Sequence, residues 1–183
     1  MTDFLTVLRA RSGARLTKAW RANPEGLAIA GYEDAKTFDA TRIDVPDLHG
    51  LHASLQGLRD HPDRCVIRGA YPPLLEAGDG ACVQRVLRRV EETVDTPHHW
   101  VMIDVDEFVS LADPVDDPAA ACAEFIEEKL PREFMQRAFV WQLSASAGAP
   151  DKLHLLKAHL WFWLAEPVDS RALRQWAKGW GTI

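Results

Sequence analysis

Apolar positions along the chain recur with two periods, and each period marks a kind of element. Leu48, Leu51, Leu55 and Leu58 recur at helical spacing behind Asp47, a capping residue, and the run stops before His61-Pro62. Val83, Val86, Leu87 and Val90 follow the i, i+3, i+4, i+7 pattern and predict a second helix, with Arg85, Arg88 and Arg89 on its solvated face. Asp117-Pro118 reads as an N-cap with proline in the first turn, leading through Cys122, Phe125 and Ile126 to Leu130-Pro131. A last helix opens at Asp169 or Ser170, buries Leu173, Trp176 and Ala177, and stops at Gly179. Short apolar runs predict strands over residues 65–68, 100–105, 138–144 and 156–164. Residues 1–46 are harder to read, with candidate strands at 16–20 and 27–30.

Strands alternating with helices predict an α/β or α+β sheet protein with helices packed on the sheet. No repeat, low-complexity tract or Gly/Ser linker divides the 183 residues. The nearest sign of a boundary is Tyr71-Pro72-Pro73, with Gly78-Asp79-Gly80 shortly after it.

Composition narrows the class. An apolar fraction of 47%, with seven Trp and seven Phe, excludes intrinsic disorder. The longest apolar run, residues 160–165, falls far short of the roughly 20 residues a membrane helix needs. Met1-Thr2-Asp3-Phe4 begins no basic-then-apolar leader, so the expectation is a soluble, cytoplasmic protein. Cys65, Cys82 and Cys122 form no CxxC pair, and neither a zinc site nor a disulfide framework is indicated. A net charge of −6 argues weakly against a nucleic-acid binder. Much of it lies between Asp104 and Glu128, a stretch with many carboxylates and no Lys or Arg; the remainder of the chain is net basic.

That acidic stretch begins with the sharpest chemical signal, Trp100-Val101-Met102-Ile103-Asp104-Val105-Asp106-Glu107. Alternation along a strand puts Asp104 and Asp106 on one face and Val105 on the other. Two adjacent carboxylates repel unless a cation lies between them, and hard oxygen donors suit Mg²⁺ or Mn²⁺. A strand-end DxD serves nucleotide-sugar glycosyltransferases, haloacid-dehalogenase-like phosphatases and nucleotidyl transferases alike. Phe108 stands where those phosphatases usually have Thr or Val.

A second signal lies downstream. On the strand from residue 156 to 164, alternation places Lys157, His159, Trp161 and Trp163 on one face. Lys157 and His159 form a compact cationic, hydrogen-bonding pair suited to a triphosphate. On the preceding strand Gln142, Ser144 and Ser146 share a face, so both hydroxyls can reach the same site. His98-His99, without a third ligand, reads as surface loop.

Asp104-Val105-Asp106 followed by Lys157-Ala158-His159 resembles the archaeo-eukaryotic primase superfamily, the primase-polymerases of plasmids, phages, archaea and eukaryotes. The resemblance covers roughly residues 100–180, including the aromatic run His159 to Val168, with weaker similarity around residues 16–20 and 66–70. Lys157 stands where the family more often has Ser. The resemblance implies an N-terminal αβ module over residues 1–95 and an RRM-like catalytic module over 96–183. It further implies template-directed nucleotidyl transfer, with Asp104 and Asp106 holding two divalent ions, Mg²⁺ or Mn²⁺. Lys157, His159, Ser144 and Ser146 would then hold the incoming nucleotide, with His159 counted among the catalytic residues. Implied partners are a single-stranded DNA template, nucleoside triphosphates and a helicase domain or subunit.

One departure stands out. The family's third carboxylate arrives on a strand after the helix that follows the second motif. Here only Glu166 and Asp169 lie beyond His159, and Asp169 is placed to cap a helix. With Gly181-Thr182-Ile183 closing the chain, the expectation is a fragment of a longer primase. The rival readings are a metal-dependent glycosyltransferase with little need for Lys157 or His159, and a non-catalytic nucleotide- or nucleic-acid-binding module.

Overall fold

The computed structural model describes residues 2–24 and 26–179. Met1 of the leader reading and the Gly181-Thr182-Ile183 ending lie outside them. In chain order the strands are β1 (Asp3–Ala10), β2 (Ala19–Asn23), β3 (Gly26–Ala30), β4 (Phe38–Val45), β5 (Arg64–Ile67), β6 (Gly69–Ala70), β7 (Cys82–Val86), β8 (Val94–Asp95), β9 (His98–Val109), β10 (Phe139–Leu143) and β11 (Leu155–Val168). The helices are α1 (Leu48–Leu58), α2 (Pro72–Glu76), α3 (Pro118–Lys129) and α4 (Ser170–Lys178). Helices interspersed with antiparallel sheets make this a mixed α+β fold. None of the helices among the described residues is long and apolar enough to cross a membrane.

The described residues divide into two compact units. One comprises residues 2–19, 30–99 and 164–179; the other comprises 20–29 and 100–163. Helix α4 is therefore grouped with the N-terminal residues.

The first unit is built on a four-stranded sheet of order β5-β1-β4-β7. Strand β1 is central and pairs antiparallel with β4, from Asp3 opposite Val45 to Ala10 opposite Phe38. All of β1 except Arg9 is buried, with Leu5 and Leu8 fully so. A strand covered on both faces shows no in-out alternation, which explains why its sequence did not announce it. Leu8, Phe38, Tyr71, Leu74 and Val86 form a core cluster on this sheet, and the Tyr71 hydroxyl donates to the Leu87 carbonyl at 2.8 Å. Helix α1 follows its Asp47 cap, whose carboxylate accepts from Gly50 N at 2.8 Å, and lies against β4.

The helix expected over residues 83–90 is instead strand β7 followed by a 3-10 turn, Val90–Glu92. β-branched Val83 and Val86 suit the pleated edge of β4, and the sheet supplies the non-local hydrogen bonds that outweigh a weak helical period. Phe38 faces Val86 and Ala40 faces Val83, so Asp39 alone opposes Gln84 and Arg85 in a bulge. Arg85 takes a positive φ of 61° there, and its N–H donates to the Asp39 carboxylate at 3.3 Å. The same carboxylate accepts from Arg11 at 2.6 Å and Arg9 at 3.0 Å. Arg85, Arg88 and Arg89 thus form no helix face.

His98 is not surface loop. It opens β9 at 1% exposure, with Nδ1 2.7 Å from the Asp3 carboxylate and Nε2 2.9 Å from the Thr96 hydroxyl. Asp3 also accepts from the backbone N–H groups of Phe4 (2.7 Å) and His99 (2.5 Å). Arg68 likewise turns inward, donating to the Val168 carbonyl at 2.5 Å.

The second unit holds a three-stranded sheet of order β10-β11-β9 and the two-stranded pair of β2 and β3. Helix α3 starts at the Asp117 cap with Pro118 at its first position, as the sequence predicts, and buries Ala121, Cys122, Phe125 and Ile126. Phe125 meets Phe108 edge-to-face at 5.4 Å, and Phe134 meets Phe162 at 4.8 Å. Leu156, Ala158, Leu160 and Phe162 of β11 are buried in the same unit. Fully burying one such Leu or Phe side chain contributes about 1.5–3 kcal/mol.

Candidate active site

From Val101 to Asp106, strand β9 alternates between an inward and an outward face. Val101 and Val105 are buried, whereas Met102, Asp104 and Asp106 are exposed. The i, i+2 spacing therefore presents both carboxylates on one face. The alternation breaks after Asp106: Glu107 is also exposed and Phe108 turns in toward α3.

Strand β11 runs beside β9 in the opposite sense, and its two polar residues meet the two aspartates. His159 Nε2 lies 3.4 Å from Asp104 Oδ1. Two residues back along β11, the Lys157 ammonium donates to the backbone carbonyl of Asp106 at 2.5 Å and to its carboxylate. Strand β10 and the residue just after it extend the pattern: Gln142 pairs with His159, and Ser144, one residue past the strand expected to contain it, donates its N–H to the Lys157 carbonyl at 2.8 Å. Two rows cross the sheet as a result, Gln142–His159–Asp104 and Ser144–Lys157–Asp106. Ser146, in the turn after β10, is buried and lies 3.2 Å from Ser144, oxygen to oxygen. The six residues singled out in the sequence are thus gathered on neighbouring strands and one turn, and Gln142 joins them.

Exposure differs sharply within the group. The Asp104 and Asp106 side chains are 61% and 74% exposed, His159 is 35% exposed, and Lys157 only 4%. Lys157 is therefore engaged beneath Asp106, and its charge offsets the repulsion that two neighbouring carboxylates create. Alternation along β11 placed Lys157 on this face; its burial and its partner depend on the strand opposite.

Trp161 is buried, its ring 5.6 Å from that of Trp100, so this aromatic serves packing. Asp169 caps α4, accepting from Ala172 N at 2.6 Å, and Glu166 is an exposed residue of β11. Among the described residues no group of three or more His, Cys, Asp or Glu side chains is arranged to hold a metal ion. The loop after β9 is held by Glu124 of α3, whose carboxylate accepts from the Ser110 hydroxyl (2.6 Å), Leu111 N (2.8 Å) and Ala112 N (3.1 Å). The Ser110 hydrogen bond first, and then the backbone donors, keep Glu124 below the usual carboxylate range.

Compared with known proteins, the chain matches no family model, and no curated protein or solved structure is detectably similar to it.

Proposed function

We propose that the chain is a catalytic core for template-directed nucleotidyl transfer, a primase-polymerase acting on single-stranded DNA with nucleoside triphosphates. The observation that carries this reading is the double cross-strand pairing of Asp104 with His159 and Asp106 with Lys157 on one strand face. Two motifs that are short and weak alone acquire weight by sharing a site. The strand–helix–strand–strand order of β9, α3, β10 and β11 on one sheet supports the RRM-like part of the reading, since it is the opening of a β-α-β-β-α-β module.

The donor chemistry fits a hard divalent cation, Mg²⁺ or Mn²⁺, because two exposed carboxylates project from the same strand face. Bound there, such an ion would supply charge neutralisation for the attacking hydroxyl and the departing pyrophosphate. The side chains divide the remaining work. Asp104 and Asp106 present the oxygen ligands, and His159 donates an imidazole N–H to a phosphate oxygen. The Ser144 and Ser146 hydroxyls hydrogen-bond to the triphosphate, and Lys157 fixes the position of Asp106. Catalysis in this arrangement is alignment and charge stabilisation, with no covalent intermediate. A helicase partner belongs to the same reading.

A second reading, a nucleotide-binding module without turnover, draws on the absence of a third carboxylate beside Asp104 and Asp106 among the described residues. A glycosyltransferase is less well supported, because it gives no role to His159 beside Asp104. Primer synthesis and extension on a single-stranded template with Mg²⁺ or Mn²⁺ separates them. Product is expected from the wild type and a loss of about 100-fold or more from Asp104→Ala. An inactive wild type that binds nucleotide points to the second reading; synthesis undiminished in Asp104→Ala overturns the first.

A further inference from the structure

The resemblance to primases brings two divalent ions, but the surroundings of Asp106 already contain a cation. The Lys157 side chain is 4% exposed, and its ammonium donates to both the carbonyl and the carboxylate of Asp106. A buried ammonium with two acceptors on one residue is not readily displaced, because leaving would strand it among packed neighbours. Asp104 is different. It faces an imidazole at 3.4 Å and is 61% exposed. Like charges a few ångströms apart repel strongly near a protein surface, so an ammonium and a divalent ion compete for the same carboxylate.

We infer that the Lys157 ammonium stands in place of one of the two cations, so that the site takes a single divalent ion, held principally from the Asp104 side. The inference rests on the nucleotidyl-transfer reading and changes its metal count. Lys157 is then a positioning residue: it neutralises Asp106 and holds it in place on β9, without being replaced by a metal during binding.

Counting bound Mn²⁺ by electron paramagnetic resonance, with a non-hydrolysable nucleoside triphosphate analogue present, tests this directly. The wild type is expected to hold one Mn²⁺ per chain with no Mn–Mn dipolar coupling. Lys157→Met is expected to hold two coupled ions, and Lys157→Arg to remain at one. Asp104→Ala is expected to weaken the wild-type ion by about 10-fold or more. Two coupled ions in the wild type would overturn the inference and leave the nucleotidyl-transfer reading intact. One ion in folded Lys157→Met would overturn it as well. No Mn²⁺ bound by the wild type would remove the metal reading itself. If Lys157→Met fails to fold by circular dichroism, the wild-type count and coupling, with Lys157→Arg, decide.

Discussion

The buried ammonium of Lys157 donates to two oxygens of Asp106, one on the backbone and one on the side chain, across residues 51 apart in sequence. The contact fixes β9 at Asp106 from within the sheet and sets the charge of the face above it.

Removing this contact has a cost that depends on what replaces the lysine. Lys157→Met deprives the Asp106 carbonyl and carboxylate of their donor and is expected to destabilise the fold by about 1–3 kcal/mol. Asp106→Asn leaves the buried ammonium without its counter-charge and is expected to cost a similar amount, moderated because Asp106 is 74% exposed. Urea denaturation of both single variants and the double variant measures the coupling. A double variant no more stable than the sum of the singles predicts would mean the two residues do not interact.

Asp3 makes stability depend on pH. Burial opposes its ionisation, but the hydrogen bond and charge of His98 and the N–H groups of Phe4 and His99 outweigh burial and hold its carboxyl below the ordinary range. A carboxyl lowered on folding stabilises the protein above its unfolded value, about pH 4, and that contribution is lost as pH falls through the folded value. Asp39 and Asp95 are also lowered and add to the same slope. Denaturation between pH 7 and pH 2 is expected to show stability falling below about pH 4, with a shallower fall in Asp3→Asn. That variant is also expected to lose about 3 kcal/mol at neutral pH, since it breaks a buried pair.

Glu124 ties the loop after β9 to α3 through three donors. In Glu124→Ala the amides of Leu111 and Ala112 are expected to exchange hydrogen faster, while those of the β9–β11 ladder keep their protection. Equal protection at Leu111 and Ala112 in variant and wild type would remove this role for Glu124.

The three thiols are expected to react in order of exposure. Cys82 is exposed, Cys65 half-buried and Cys122 buried, and burial pushes the Cys122 thiol up to about 12. Little of Cys122 is therefore thiolate, the reactive form, at pH 8. Iodoacetamide is expected to label Cys82 first and Cys122 only after unfolding, as read by mass spectrometry of digested protein. Early labelling of Cys122 would show that α3 opens locally.

Several elements were legible in the chain because their determinants are local. Asp47, Asp117 and Asp169 each cap the helix expected of them, because a side-chain oxygen meets a backbone N–H within three residues. The strand bearing Asp104 and Asp106, and the shared face of Lys157 and His159, follow from a period of two that any extended chain obeys. Other features depend on distant residues. Central β1 lacks alternation because both its faces are covered, and residues 83–86 join β4 because its edge offers hydrogen bonds that no local pattern records. His98 looked like loop until Asp3, 95 residues away, supplied its partner. The candidate site divides in the same way. Sequence alone determined which residues carry charge and which side of a strand each takes. Tertiary structure decided that β9 and β11 lie side by side in the register that sets Lys157 beneath Asp106, because strand pairing is made by backbone groups every residue shares, and only packing of the whole sheet selects among the possible alignments.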